Sequence, residues 1–506
     1  MGERIIIDPV TRIEGHLAIE VEVENGVVKD AWSKGTLFRG IELILQGRDP
    51  RDAAIITQRI CGVCPAEHML ASVQGLDNAF GAEVPDNGRI IRNLVAGANF
   101  VQSAILHFYH LAALDYLDIM AVADYAGNDE GLLEVKRKIV GLVQAGDTAP
   151  LTPRYEPDEF CVADPNIVTA AVAHYLQGLE TRKRTQEMLA IFGGKMPHHA
   201  TYVPGGVTVR VTADRISRFK GYLDEITEWV RRVYLNDVLT LGTGPLKPLH
   251  DLKVGFGTGN FISYGMFDLG ESGDYNNRYL RSGHIAGGEL KHIPFDPEKI
   301  RENVKYSKYT DECTDRHPSE GKTILDINKE GAYSFIKAPR YDGRSSEAGA
   351  LARMLVTTAE GKDPGVTLAD GTKKTLAQII TPIGVHPSAV ARHAARAYEC
   401  LMVCEGMQQW LLELKPGEPV CNDVAVPKNG KGAGLVEAHR GALGHWVEIE
   451  NGKIKNYQCV PATIWNANPR DDNGVRGPIE EALVGTPVPD PHNPINLVRV
   501  VRSFDP

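Results

Sequence analysis

The sequence predicts an α+β fold that is mainly helical, a long-helix bundle with a small β-sheet formed by N- and C-terminal hairpins. Two observations predict it. The middle of the chain carries long runs with apolar residues three and four apart, and near each end an alternating segment turns at Glu-Asn-Gly.

Residues 4–34 alternate, as in His16-Leu-Ala-Ile-Glu-Val-Glu-Val-Glu24, and turn at Glu24-Asn-Gly26, a hairpin signature because Asn-Gly accepts the positive φ angles of a tight turn. Residues 87–120 show helical spacing after a Pro-Asp-Asn start, and residues 165–193 form a second such stretch. A third begins near Ala213-Asp214 and lines up Ile216, Phe219, Leu223, Ile226, Val230 and Val233 on one face. The fourth, residues 387–415, opens at Pro387-Ser388 and stops before Pro416. Residues 243–385 are richer in Gly, Pro and charge and read as irregular excursions with short strands. Trp446-Val-Glu-Ile-Glu-Asn-Gly-Lys-Ile454 repeats the first hairpin's pattern. Pairing the two hairpins into one sheet would join both ends of a single domain spanning 1–506 and bring residues near 61 beside the last ones.

Hydrophobic content of 43% and charged content of 24% are ordinary for a globular chain. A net charge of −10 and a pI near 5.9 argue against nucleic acid, whose recognition needs clustered Lys and Arg. No stretch approaches the roughly 20 apolar residues that span a bilayer, and Met-Gly-Glu-Arg-Ile-Ile-Ile-Asp lacks the long apolar core of a signal peptide. The eight cysteines do not form a disulfide framework. Cys400 and Cys404 share a helix face among apolar neighbours and read as core.

Cys61 and Cys64, in Arg59-Ile-Cys-Gly-Val-Cys-Pro-Ala-Glu-His68, are spaced to grip one metal ion, Gly62 allowing the tight turn between them. They supply half of a tetrahedral shell. A lone Cys-x-x-Cys also fits a zinc knuckle or a redox dithiol.

The surrounding residues narrow this. Arg-x-Cys-Gly-x-Cys-x-x-x-His resembles the N-terminal metal-binding motif of nickel-iron hydrogenase large subunits. The resemblance continues through Asp8-Pro-Val-Thr-Arg-Ile-Glu-Gly-His16, Phe38-Arg-Gly-Ile-Glu42, His107-Phe-Tyr-His-Leu111 and Gly193-Gly-Lys-Met-Pro-His198. It extends over Ala338-Pro-Arg-Tyr-Asp-Gly343, Glu437-Ala-His-Arg-Gly-Ala-Leu-Gly-His445 and Trp465-Asn466, and Ser503-Phe-Asp-Pro506 opens the family's final motif.

The resemblance implies reversible heterolytic cleavage of dihydrogen at a nickel-iron centre whose iron carries carbon monoxide and cyanide. Cys61 is then a terminal nickel ligand and Cys64 a bridge. Glu14 is the proton-relay carboxylate, its alternative being a cap or a salt bridge to Arg12. Arg440 stands over the metal pair with Asp505 holding its guanidinium, and Thr463 contacts a cyanide. His68 hydrogen-bonds near the bridging cysteine, and Val63 and Leu111 line the narrow end of the gas channel. Glu42 is a ligand of a second, structural site for magnesium or iron. His107 and His110 read as packing and hydrogen-bonding residues.

Two departures stand out: Ser103 occupies a position where many members carry an aspartate, and His439 one that is usually proline. In the family, Asp-Pro is followed by a second Cys-x-x-Cys and a histidine. The stop after Pro506 leads to the expectation that position 507 is selenocysteine, read at a stop codon, with about a dozen further residues, and that the chain as written is inactive. A truncation or a separately encoded peptide is the alternative.

Residues 1–506 hold no further cysteine cluster with iron-sulfur spacing, so a small subunit carrying iron-sulfur clusters is the expected electron partner. Nickel-insertion and maturation proteins are the other partners. Periplasmic location is expected, by twin-arginine export with the small subunit, with the cytoplasm as alternative. The competing function is a non-catalytic scaffold related to quinone-reducing respiratory-complex subunits.

Overall fold

A ring of four helices, Asp86–Ile105, Pro165–Gly193, Ala213–Trp229 and Ala389–Glu413, forms the centre of the molecule in a computed structural model that describes residues 2–149, 151 and 154–506. Asp86–Ile105 packs on Pro165–Gly193 and Ala389–Glu413, and Ala213–Trp229 packs on the same two. Side chains cap three of them, one being the Ser388 that opens the fourth predicted stretch. Asp164 accepts from Asn166 N–H at 2.8 Å, Thr212 from Arg215 N–H at 3.2 Å and Ser388 from Ala391 N–H at 3.0 Å.

The stretch predicted as one helix over 87–120 is α-helical only to Ile105. It widens into a π-helical turn, Leu106–Ala112, and tightens into a short 3-10 turn, Ala113–Asp115. Such a widened turn re-aims side chains. The third predicted helix likewise continues past Trp229 through a π turn, Val230–Tyr234, into Leu235–Thr243. Within residues 243–385 lies the hairpin Phe261–Asp268 with Arg278–Ile285, in keeping with the short strands expected there.

Both Asn-Gly hairpins form. Asn25 and Gly26 have φ of 52° and 73°, and Asn451 and Gly452 have 54° and 73°. The single sheet is corrected, because the hairpins belong to two separate three-stranded sheets, Glu3–Ile7 with Leu17–Glu24 and Val27–Gly35, and Asn429–Ala438 with Gly441–Glu450 and Lys453–Val460. Irregular backbone occupies the edges that would have met. Val28 exchanges hydrogen bonds with Thr486 O (3.0 Å) and Gly485 N–H (2.9 Å), and Ile454 with Gly47 N–H (2.8 Å) and Arg48 O (3.0 Å).

Helix Pro65–Phe80 lies directly on strand Asn429–Ala438. The contact requires glycine: a Cβ on Gly434 would stand 1.8 Å from the Ala71 carbonyl. This close approach sets the N-terminus of the helix, where Cys64 sits, relative to the turn at the end of the strand.

Candidate metal centre

Cys64 immediately precedes helix Pro65–Phe80, and the turn before it brings Cys61 round so that the two sulfurs meet as a pair, with Cα atoms 5.4 Å apart. Cys64 N–H donates to Cys61 Sγ at 3.1 Å. The Val63 carbonyl in the same turn accepts from Gln102 Nε2 at 3.1 Å, which ties the turn to helix Asp86–Ile105.

Arg440 occupies the two-residue turn, His439-Arg440, between strands Asn429–Ala438 and Gly441–Glu450. Arg353 grips that turn from below. Its guanidinium donates to the carbonyls of Ala438 (2.8 Å) and His439 (2.9 Å) while pairing with Glu399 and Glu437. Gly441 has φ of 138°, and a Cβ there would meet Ala348 Cβ at 2.8 Å, so the turn is closed to larger residues.

Asp505 follows helix Ile495–Ser503 in the left-handed region, at φ 58°. Arg440 Nη2 stands 3.1 Å from Asp505 Oδ1, an ion pair whose geometry falls short of a hydrogen bond. Arg396 reaches the same segment, donating to Ser503 O at 3.1 Å, and Asp505 is its foremost attractive charge, opposing the burial that lowers its pKa. Arg392 stacks over the Phe504 ring, 3.7 Å from its centroid.

Glu14 is half-buried and reaches the end of this segment, its N–H donating to Pro506 O at 3.1 Å. The salt bridge to Arg12 is not made. Arg12 pairs with Asp115 and donates to Leu111 O at 2.7 Å, and Asp115 also holds Arg502 at 2.7 Å. The charge that feels Glu14 is Arg182.

His68 is buried and bonds through Nδ1 to His445 Nε2 at 3.1 Å, and His445 Nδ1 meets Tyr457 OH at 2.9 Å. Burial, with Arg39 adding, pushes the His68 pKa down to about 3, so the ring is neutral. His107 and His110 have separate partners, Arg502 O at 2.6 Å and Tyr175 O at 3.1 Å, in line with the packing reading. Val63 and Leu111 are half-buried. Thr463 lies in the first turn of helix Ala462–Ala467, which packs on strand Gly441–Glu450, and its hydroxyl makes no hydrogen bond among the described residues.

Glu42 stands apart, accepting from Cys459 N–H at 2.9 Å and from the Thr323 hydroxyl. Near it, Lys337 Nζ contacts Glu302 Oε2 at 3.1 Å and Gln458 Oε1 at 3.2 Å. Each Glu42 oxygen keeps a lone pair, which suits one ligand of a hard cation.

The fit of a metal group can be judged from polar atoms left unserved. Ser103 Oγ, His439 Nδ1, Arg440 Nε and Nη2, Arg396 Nε and Nη1, and both Asp505 oxygens are buried without a hydrogen-bond partner among the described residues. Helix Asp86–Ile105 walls this patch and the cysteine turn alike: Phe100 meets the His439 ring at 6.1 Å, and Gln102 holds Val63. Among the described residues no group of three or more His, Cys, Asp or Glu could hold a metal ion, so Cys61 and Cys64 offer a pair of soft ligands beside polar groups that still need partners. Thiolates suit nickel.

Residues 39–506 match the family model described as nickel-dependent hydrogenase, and residues 4–34 one described as HoxL-like. The chain belongs to the nickel-dependent hydrogenase family. It is a hydrogenase large subunit, an oxidoreductase acting on dihydrogen at a nickel-iron centre, and such large subunits work with a small subunit. It is 42% identical to the periplasmic NiFeSe hydrogenase large subunit of Desulfomicrobium baculatum over 99% of this chain and 93% of that one. It is 35% identical to the uptake hydrogenase large subunit of Rhizobium leguminosarum bv. viciae, over 100% and 94%. Its structure matches that of the NiFeSe hydrogenase from D. vulgaris Hildenborough with a TM-score of 0.87 at 43% identity, covering 100% of this chain and 98% of that one. These likenesses agree with the selenium-containing subgroup expected from the motifs.

Sequence reading of this hydrogenase missed Arg396, Arg353, Lys337 and Glu67. A signal existed for two of them: Arg396 recurs with Arg392 and Glu399 at helical spacing on a largely apolar helix, and Glu67 sits between Cys64 and His68. Arg353 and Lys337 carried none, since their partners are distant in sequence.

Proposed function

We propose that Cys61 and Cys64 hold the nickel-iron centre in a catalytic large subunit whose proton leaves through Glu14. The observation that carries this is the buried patch of unpartnered Arg440, Arg396, Asp505 and Ser103 atoms against the same helix that anchors the cysteine turn. When bound, the centre supplies the soft Lewis-acid site for heterolytic cleavage of dihydrogen. Arg440, aimed by Arg353 and Asp505, presents a fixed positive charge there, and it and Thr463 would donate to the cyanides on iron. His68 stays neutral and orients through His445. Val63 and Leu111 line the approach for gas. Glu14 takes the proton at its carboxylate and passes it outward.

Glu42 would hold magnesium or iron at the second site. One core cluster reaching from Ile5 to Phe504 supports residues 1–506 acting as one domain. The cysteines outside the pair are scattered, which supports an iron-sulfur small subunit as electron partner, and nickel-insertion and maturation proteins would load the centre. The relative described as periplasmic supports that location, by twin-arginine export with the small subunit. No helix of the described residues is long and apolar enough to cross a membrane. Nickel and iron analysis of the native full-length protein tests the reading: wild-type protein carrying neither metal would sink it.

A further inference from the structure

Asn99 and Gln102 are fully buried amides, and a side-chain amide can be turned over by half a rotation, so its direction has to be imposed by its neighbours. Glu67 imposes it at one end. This carboxyl is fully buried with no ion pair among the described residues, and both oxygens accept from Asn99 Nδ2, at 2.9 and 2.6 Å. Asn99 Oδ1 therefore faces Gln102 Nε2 at 3.2 Å, and that same Nε2 donates to the Val63 carbonyl at 3.1 Å. Gln102 Oε1 is left to accept from Arg182 Nε at 3.0 Å. Every link is matched in one direction only.

The Val63 carbonyl belongs to the peptide group whose N–H is that of Cys64, and this N–H points at Cys61 Sγ, 3.1 Å away. Donation to the carbonyl fixes the peptide plane and polarises the N–H at its other end. We propose that Glu67, acting through Asn99 and Gln102, is a positioning residue that fixes the Val63–Cys64 peptide and aims its N–H at the Cys61 sulfur. The consequence for the centre rests on the reading of Cys61 as a metal-holding thiolate, since hydrogen bonds to sulfur tune what a thiolate offers a metal. Burial pushes the Glu67 carboxyl up to about 7, opposed first by Asn99 and then by its own backbone and the charges of Arg440 and Arg353.

The test follows backbone hydrogen exchange at the Cys64 amide in the full chain, with nickel content measured in parallel. Glu67→Gln removes the charge and leaves its own amide hydrogens without an acceptor. Exchange at Cys64 is expected to quicken about tenfold, the loss of roughly one net hydrogen bond. Combining Glu67→Gln with Asn99→Asp moves the carboxylate one link along: the new amide donates to the new carboxylate, which still accepts from Gln102. Exchange should return to within about threefold of wild type, a rescue that mere space-filling cannot give. Unchanged exchange in Glu67→Gln, or a double variant no slower than the single one, overturns the proposal. Should Glu67→Gln not fold, Gln102→Leu cuts the same chain in its middle, and unchanged exchange at Cys64 there overturns it equally. A chain that responds as expected but binds no nickel sinks the metal assignment and leaves the network standing.

Discussion

The backbone N–H of Glu14 donates to the carbonyl of Pro506 at 3.1 Å. This bond ties the loop that carries the Glu14 carboxylate to the residue next to Asp505, the partner of Arg440. Glu14→Gln keeps the backbone bond and the side-chain shape while removing the proton-accepting group. Turnover of dihydrogen is expected to fall by about 10² to 10⁴ with nickel content unchanged. Wild-type turnover in that variant would remove Glu14 from the proton path.

Cys61→Ser and Cys64→Ser each replace a soft ligand by a hard, weakly acidic one. Both purified variants should lose nickel, read by elemental analysis, while folding as wild type, because the turn is still tied by Gln102 to the Val63 carbonyl. Retained nickel in both would place the metal elsewhere.

Arg440→Lys keeps the charge but loses the planar fork that faces Asp505. A drop in kcat of about 10² to 10³ is expected, with KM little changed, because the guanidinium is aimed at the reacting region. An equal loss in kcat and a rise in KM would instead indicate a role in admitting substrate.

Glu480 tests the pH response of the fold. It is buried, accepting from Ser33 N–H at 2.9 Å, Tyr333 OH at 2.7 Å and Gly477 N–H at 3.2 Å, and burial pushes its pKa from 4.5 up to about 7. The folded state therefore holds this proton more tightly than the unfolded chain. Its contribution makes stability fall as pH rises from about 4.5 to about 7, by roughly 3 kcal/mol in all, and then levels off. Glu67 and Glu437 act in the same sense, so the readout is a difference. Thermal unfolding of Glu480→Gln across that range should decline less steeply than wild type, and parallel curves would refute it.

Gly434→Ala should be among the most damaging small substitutions outside the centre. The added methyl meets the Ala71 carbonyl, which is helix backbone and cannot swing aside. A loss of about 3 kcal/mol or more is expected in denaturant unfolding, together with displacement of Cys64 and reduced nickel. Unaltered stability would show that the helix can lift from the strand freely.

The sequence by itself determined the four bundle helices, both hairpins, the cysteine turn and the family, because these rest on local spacing, capping and short motifs. Apolar residues at helical spacing and Asn-Gly at a turn act within a few residues of one another. It did not determine that the hairpins lie in different sheets, since an unpaired strand edge looks the same in sequence whether a strand or a loop covers it; here residues 485–488 and 47–48 cover them. Nor did it reveal that Arg353 aims the Arg440 turn, that Arg396 joins Arg440 at Asp505, or that Glu67 reaches the Cys61 sulfur through two amides. Those relationships join segments far apart in the chain, and in a close-packed interior only the tertiary structure decides which buried donor meets which acceptor.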